Sequence, residues 1–265
     1  MIEKDNGMIS DEKRKIVKEI LLVPIQCVDD KKSKIEWEGK TILSPQKYWP
    51  CKSYEKTLDP DMSDFAIGFY EIIYRDLMRN DQLLQNDGTL KSNMFAGDTI
   101  NSFQIVANMV PEAGRTKKQR TEISMWPEWL KRHYRTYHCL ANFWVVPLEV
   151  GRKSDNADYC KMNYDNKVCD FIDRFLMHHR LYIDKFKKRY SKYYETVNTY
   201  DVFEQKHFLD KCCVDEKGKI IDFSQHEAKT IVDSMSEMIE KRATYIAESK
   251  YAEDLYVYFD SQGIV

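Results

Sequence analysis

The chain has 265 residues, of which 43% are hydrophobic and 13% aromatic, so it can bury a core as one large domain or two small ones. Its 41 Lys and Arg nearly balance 43 Asp and Glu, and the formal net charge of -2 excludes a global field that attracts nucleic acid or a membrane. The 9 Gly and 7 Pro are too few for collagen-like segments, flexible linkers or a turn-rich β-sandwich.

The first residues and the cysteines predict a compartment. The segment MIEKDNGMISDEKRK is charged and lacks the apolar core of a secretory signal, and no apolar run approaches the ~18–20 residues of a membrane span. The 7 cysteines are an odd set without a C-x-x-C pair, which predicts free thiols and disfavours zinc. We therefore expect a cytoplasmic protein with neither a membrane contact nor a metal site. From the sequence, the cofactor and the oligomeric state are unknown.

Hydrophobic periodicity predicts a mainly α-helical fold with a minor β component, in the α+β class. Residues 1–9 are predicted to be a flexible tail and residues 10–265 a single globular domain. Ser10 is expected to cap a first helix and Ser63 a second. Between these helices, Gly39 is expected to join two short strands as a hairpin.

The polar segment GDTINSF, residues 97–103, has two interpretations. Asp98 suits an N-cap, and apolar residues at helical spacing then predict a helix that ends before Pro111. Plain capping does not need the other short polar side chains that follow, Thr99, Asn101 and Ser102. These also suit a helix N-terminus that holds an anion, with Asp98 as a base or metal ligand. Both interpretations stay open at the level of sequence.

A helix followed by a buried strand forms the most informative stretch, residues 126–147. Aromatic residues recur at helical spacing as far as Tyr137, and the apolar run ANFWVV at residues 141–146 then predicts a strand. Tyr137, His138 and Asn142 therefore lie at a helix–strand junction near the core. Buried polar groups need partners, so we expect this junction to meet the GDTINSF segment in space.

Three further features concern charge and helix capping. Arg115 and Lys117 lie in a Gly-containing loop, which is solvated by default or contacts phosphate. Basic residues alternate with aromatic ones over residues 185–194, as they do on surfaces that bind single-stranded nucleic acid, although amphipathic helix ends have the same pattern. Ser224 and Glu227 form a capping box, which predicts the start of the last long helix.

Four segments together resemble a family of bacterial proteins known only as a domain of unknown function. They are GDTINSF (97–103), YHCLANF (137–143), FEQKHFLD (203–210) and IEKRATYI (239–246), and the resemblance spans about residues 63–250. Ala141 stands where the family has glycine, and Cys139 stands where it has threonine. This chain therefore lacks the glycine that a close approach of the backbone would require at position 141. The resemblance brings no established reaction. It implies that one set of positions defines the group, namely Asp98, Thr99, Asn101, Ser102, Tyr137, His138 and Asn142.

Two function hypotheses follow from these patterns. In the first, the protein is an intracellular enzyme acting on a nucleotide or nucleic acid, with His138 as general acid or base and Asp98 orienting it or activating a nucleophile. The substrate would be bound by a larger polar set, Thr99, Asn101, Ser102, Arg115, Lys117, Arg135, Tyr137 and Asn142. In the second, the protein is a non-catalytic module that binds RNA or another protein through residues 185–194.

Overall fold

A computed structural model describes residues 9–28, 32–45, 60–76, 95–101, 106, 110–113, 121–147, 205–209 and 227–265. Over these residues the fold is mainly α-helical with a minor β component, which confirms the predicted class. The α-helices are α1 (Asp11–Leu21), α2 (Asp64–Ile73), α3 (Glu128–Thr136), α4 (Ala228–Glu248) and α5 (Ala252–Ser261). The strands are β1 (Ile25–Cys27), β2 (Lys32–Trp37), β3 (Lys40–Pro45), β4 (Phe95–Thr99) and β5 (Phe143–Pro147).

Two of the predicted helix caps are present in the structure. The Ser10 hydroxyl accepts the Lys13 backbone N–H at 3.3 Å before α1, and the Ser63 hydroxyl accepts the Ala66 N–H at 3.3 Å before α2. Each bond satisfies one of the amide groups that have no partner within the first helical turn. Both starts therefore follow from local sequence alone.

The first sheet is antiparallel with the strand order β1-β2-β3. The predicted hairpin is confirmed: Glu38 and Gly39 join β2 to β3 with positive φ angles of 46° and 77°, as a two-residue hairpin turn requires. Ile35 lies opposite Ile25 on one side and Ile42 on the other, so the centre of this sheet is apolar.

The second sheet pairs β4 with β5 in antiparallel register. It confirms the predicted strand near residues 141–146, but it shows that the helix start predicted at Asp98 is wrong. Asp98 lies within β4, opposite Trp144. The neighbouring Gly97 lets β4 approach Asp61 and Tyr70 closely, because a Cβ atom at position 97 would collide with the Asp61 carbonyl and the Tyr70 hydroxyl. Pairing with a buried strand and close packing thus override the local capping pattern.

Helix α4 is the central element of the core, and it packs against α1, α3 and α5. It begins at Ala228 with Glu227 as its N-cap, so the predicted start at Ser224 is wrong; Ser224 itself lies outside the described residues. The first part of α4 packs with α3 in a small apolar cluster that includes Trp126 and Leu130. The rest of α4 belongs to a larger cluster that is shared with α1, α2, β5 and α5. Across the described ranges, no helix combines the length and apolar character that a bilayer span requires.

Candidate functional site

The first two polar motifs meet at a pair of fully buried asparagines, as predicted. The Asn101 backbone N–H donates to Asn142 Oδ1 at 2.9 Å, and Asn142 Nδ2 donates back to the Asn101 carbonyl at 2.7 Å and to the Tyr137 carbonyl at 2.6 Å. The Ile100 N–H adds a bond to the Asn142 carbonyl at 2.7 Å. The Asn142 amide therefore ties the end of β4 to the junction between α3 and β5, and its observed hydrogen bonds are all to backbone atoms.

The other residues predicted to bind substrate are dispersed. Thr99 is buried within β4, whereas Arg135 is exposed on α3 and pairs with Glu128 at 3.4 Å. Lys131 and Arg135 together hold the pKa of Glu128 below its usual range. The side chain of Asp98 is not among those that the structure describes, and the remaining predicted residues lie outside the described ranges, namely Ser102, Arg115 and Lys117. Their substrate-binding roles stay predictions.

His138 is half-buried beside aromatic rings. Its ring centroid lies 3.9 Å from that of Tyr137 and 6.3 Å from that of Phe143, and its carbonyl accepts the Ile25 N–H at 2.8 Å. One turn earlier His133 is fully buried, and burial together with the nearby His138 lowers the pKa of His133 to about 3. His133 is therefore neutral at physiological pH. His138 keeps the partial exposure that a general acid or base needs, and its catalytic role stays a prediction.

The third and fourth motifs meet at a buried arginine. Arg242 is fully buried on the inward side of α4, where its Nη1 donates to the Ala141 carbonyl at 2.6 Å and the Phe143 carbonyl at 2.8 Å. Its Nε donates to the His207 carbonyl at 2.9 Å. The described partners of the guanidinium are three backbone carbonyls and the Tyr74 hydroxyl, whose dipoles stabilise its buried charge.

Tyr74 and His207 extend this network. Arg242 Nη2 donates to the Tyr74 hydroxyl at 3.2 Å, and that hydroxyl lies 3.1 Å from His207 Nδ1. Because a guanidinium can only donate, the Tyr74 oxygen accepts from Arg242, and the same hydroxyl is hydrogen-bonded to His207 Nδ1. Burial lowers the pKa of His207 well below its ordinary value, and the charges of Arg242 and Lys206 act in the same direction. We call Tyr74, His207 and Arg242 the buried triad.

A surface pocket of about 400 Å³ is lined in part by the sequence neighbours of Tyr74 and His207. Three segments form its walls: the end of α2, the turn at residues 205–208, and the junction of α4 with α5. The described residues that line it are Ile73, Asp76, Gln205, Lys206, Phe208, Ser249, Lys250 and Tyr251. We call this the lysine pocket, because the charged groups among these described residues are two lysines and one aspartate. Its volume lies in the range of small-molecule sites.

Electrostatic contacts order one side of the lysine pocket. Asp76 Oδ2 lies 3.5 Å from Lys250 Nζ and accepts the Tyr251 hydroxyl at 3.4 Å. Lys250 Nζ also lies 5.0 Å from the centroid of the Tyr251 ring. The nearby Tyr251 and Asp76 raise the pKa of Lys250, whereas burial lowers the pKa of Lys206 although Asp76 opposes the change. Among the described lining residues, the carboxylate thus offsets one of the two ammonium charges, and one positive charge remains.

The opposite wall contains a residue in an uncommon backbone conformation. Phe208 has a φ of 61°, a left-handed conformation that non-glycine residues adopt infrequently and that other contacts must maintain. Its ring packs edge-on against Tyr251, with the centroids 6.1 Å apart. The two rings give the pocket an apolar, aromatic part beside its ammonium groups.

The residues of the buried triad and of the lysine pocket were not predicted as a site. A pattern that indicates Arg242 exists, because it lies on the buried stripe of α4 between Ile239 and Ile246, where a charged residue is out of place. His207 and Arg242 also fall within two of the four motif segments. The pocket itself has no sequence pattern, because its walls come from three distant parts of the chain.

No protein-family model matches the chain, and neither a curated protein nor a solved structure matches it. The resemblance to the uncharacterised bacterial family therefore stays a prediction. The described residues of the four segments that carry the resemblance converge around Asn142 and Arg242.

Proposed function

We propose that the protein binds a small anionic ligand of the nucleoside-phosphate class in the lysine pocket. One observation carries the proposal: Lys206 and Lys250 line the same pocket as the aromatic rings of Phe208 and Tyr251. Ammonium groups suit phosphate oxygens, and aromatic faces suit a planar base. Among the described lining residues, two lysines face one carboxylate, that of Asp76, and this balance of charge favours an anion.

Isothermal titration calorimetry with ATP, ADP, adenosine and inorganic phosphate tests this proposal. We expect ATP and ADP to bind more tightly than adenosine, because charge-assisted hydrogen bonds contribute about 1.5–3 kcal/mol each. Higher salt should weaken binding, because exposed charges are screened. Equal affinity for ATP and adenosine would refute the anionic part of the proposal, and tight binding of phosphate alone would refute the part assigned to the aromatic rings.

Charge reversal locates the site. Lys206→Glu and Lys250→Glu should each weaken ATP binding by at least about tenfold. Lys229→Glu is the matched control, since Lys229 is exposed at the other end of α4, where it pairs with Asp233 at 2.7 Å. It lies roughly 30 Å from Lys250 along the helix axis. A control variant that loses as much affinity as the two pocket variants would place the binding site elsewhere.

The enzyme hypothesis adds turnover to binding. In that version, His138 acts as general acid or base towards a nucleotide or nucleic acid, with Asp98 as its partner, at the helix–strand junction. His138 is not among the described residues that line the lysine pocket. Release of phosphate or nucleoside from ATP, or shortening of a labelled RNA, measures the activity. The alternative of a non-catalytic module that binds RNA or protein rests on residues 185–194, outside the described ranges, and binding of RNA that survives both lysine reversals would favour it.

A further inference from the structure

Each segment that lines the lysine pocket also carries one member of the buried triad. Tyr74 follows Ile73 at the end of α2, and His207 stands between Lys206 and Phe208 in the second wall. Arg242 lies on α4 about two helical turns before Ser249, where the third wall begins. The residues that line the pocket and the residues that bond to each other in the core therefore belong to the same three segments.

His207 anchors the turn at residues 205–208 to the core. His207 is fully buried, whereas Gln205, Lys206 and Phe208 reach the pocket. The His207 ring packs edge-on against Trp144 at a centroid distance of 5.4 Å and lies 5.6 Å from the Tyr74 ring. Its carbonyl is held by Arg242 Nε at 2.9 Å. Side chain and backbone of His207 are thus both fixed by the core.

We propose that the buried triad is the positioning device of the lysine pocket, which fixes Lys206 and Phe208 in the arrangement that binds the ligand. The ligand in this inference rests on the function proposed above, while the fixed turn does not depend on it. The bonds of the preceding residue, His207, hold the left-handed backbone at Phe208 from the side of the core. A site formed before its ligand arrives loses less ordering free energy on binding.

Tyr74→Phe tests this role with little change in packing. It removes one hydroxyl, and with it the bonds to His207 Nδ1 and Arg242 Nη2, but it keeps the aromatic ring. Tyr70→Phe is the matched control, because Tyr70 is equally buried one turn earlier on α2 and its hydroxyl donates to the Asp61 carbonyl at 3.0 Å, outside the triad. Both variants lose a buried tyrosine hydroxyl.

Two measurements are made on the full chain of each variant. The first is hydrogen–deuterium exchange of the backbone amides at residues 205–209 without ligand, compared with the amides of α1. In Tyr74→Phe we expect exchange at 205–209 to accelerate roughly three- to tenfold while α1 is unchanged, because one anchoring hydrogen bond is lost locally. The second is ATP affinity by calorimetry, where the same variant should raise Kd by about three- to tenfold.

The two measurements keep the inference separate from the proposed function. If the wild-type protein binds no ATP, the proposed function fails. The positioning role of the buried triad then fails too, except where Tyr74→Phe still accelerates exchange selectively at residues 205–209. Unchanged exchange in this turn, a parallel increase in α1, or an equal effect in Tyr70→Phe would overturn the inference. Faster exchange with an unaltered Kd would overturn it as well, because the turn would then be mobile without affecting the ligand.

Discussion

Replacing Arg242 by methionine tests whether backbone carbonyls depend on this buried guanidinium. Arg242 supplies hydrogen bonds to the carbonyls of Ala141, Phe143 and His207 and to the Tyr74 hydroxyl, at 2.6 to 3.2 Å. A buried acceptor that loses its donor costs about 1–3 kcal/mol. Three carbonyls and a hydroxyl therefore give a gross loss that exceeds 3 kcal/mol by this estimate.

Removing the charge also has a favourable effect, because methionine does not bear the desolvation cost of a buried guanidinium. Avoiding this desolvation cost stabilises a protein most when apolar residues replace both members of an ion pair, because no unpaired charge is then left behind. At Arg242 the partners are backbone carbonyls, which remain whatever side chain is introduced. We therefore expect Arg242→Met to reduce the free energy of unfolding by about 3–5 kcal/mol.

Urea unfolding followed by circular dichroism measures this difference. Lys241→Met is the control, because Lys241 is the preceding residue of α4 and is exposed; it should change stability by less than about 0.5 kcal/mol. Arg242→Lys keeps a cation but lacks the planar fork that reaches several carbonyls at once, so it should also be strongly destabilised. An Arg242→Met protein as stable as Lys241→Met would refute the reasoning, since the carbonyls would then need no donor.

Three further predictions concern other parts of the core. Burial lowers the pKa of His133 from 6.5 to about 3 in the folded protein. As pH falls below 6.5, His133 is therefore protonated in the unfolded chain but not in the folded protein, which favours unfolding. Stability should therefore fall by about 2 kcal/mol between pH 7 and pH 5, and His133→Leu should flatten this part of the curve in urea titrations. Gly97→Ala should cost roughly 1–3 kcal/mol through overpacking, and an unchanged denaturation midpoint would contradict the close approach of Tyr70. His138→Gln should keep near wild-type stability and abolish nucleotide or RNA turnover; a loss of about 1–3 kcal/mol, with no turnover in the wild type, would favour the binding alternative.

The parts of the fold that sequence predicts are those that local chemistry determines. Ser10 and Ser63 cap helices with their own hydroxyls, and Gly39 supplies the positive φ that a two-residue hairpin needs. Strand β5 is predictable because a run of aromatic and β-branched residues is buried on both sides. None of these predictions requires knowledge of a distant segment.

The helix start predicted at Asp98 is wrong because a distant segment decides. Asp98 has the chemistry of an N-cap, yet its backbone pairs with Trp144 across a sheet whose second strand is far away in sequence. The lysine pocket was not predicted for the same reason, since Asp76, Lys206 and Lys250 become neighbours only after the chain has folded.

The polar residues of the core contribute what its apolar residues cannot. Apolar burial stabilises many arrangements of the same segments about equally, because it is non-directional. The bonds of Asn142 to Asn101 and of Arg242 to Ala141 and Phe143 are directional, and they join segments that are 41, 101 and 99 residues apart in the chain. A register error of one residue in β5 would turn these groups away from each other and leave them buried without partners. We infer that the motif residues at these positions are constrained by the need for one unique arrangement of the core. Their presence in a motif is then not by itself an argument for catalysis, and a search for ligands begins at Lys206 and Lys250, where the same arrangement reaches the surface.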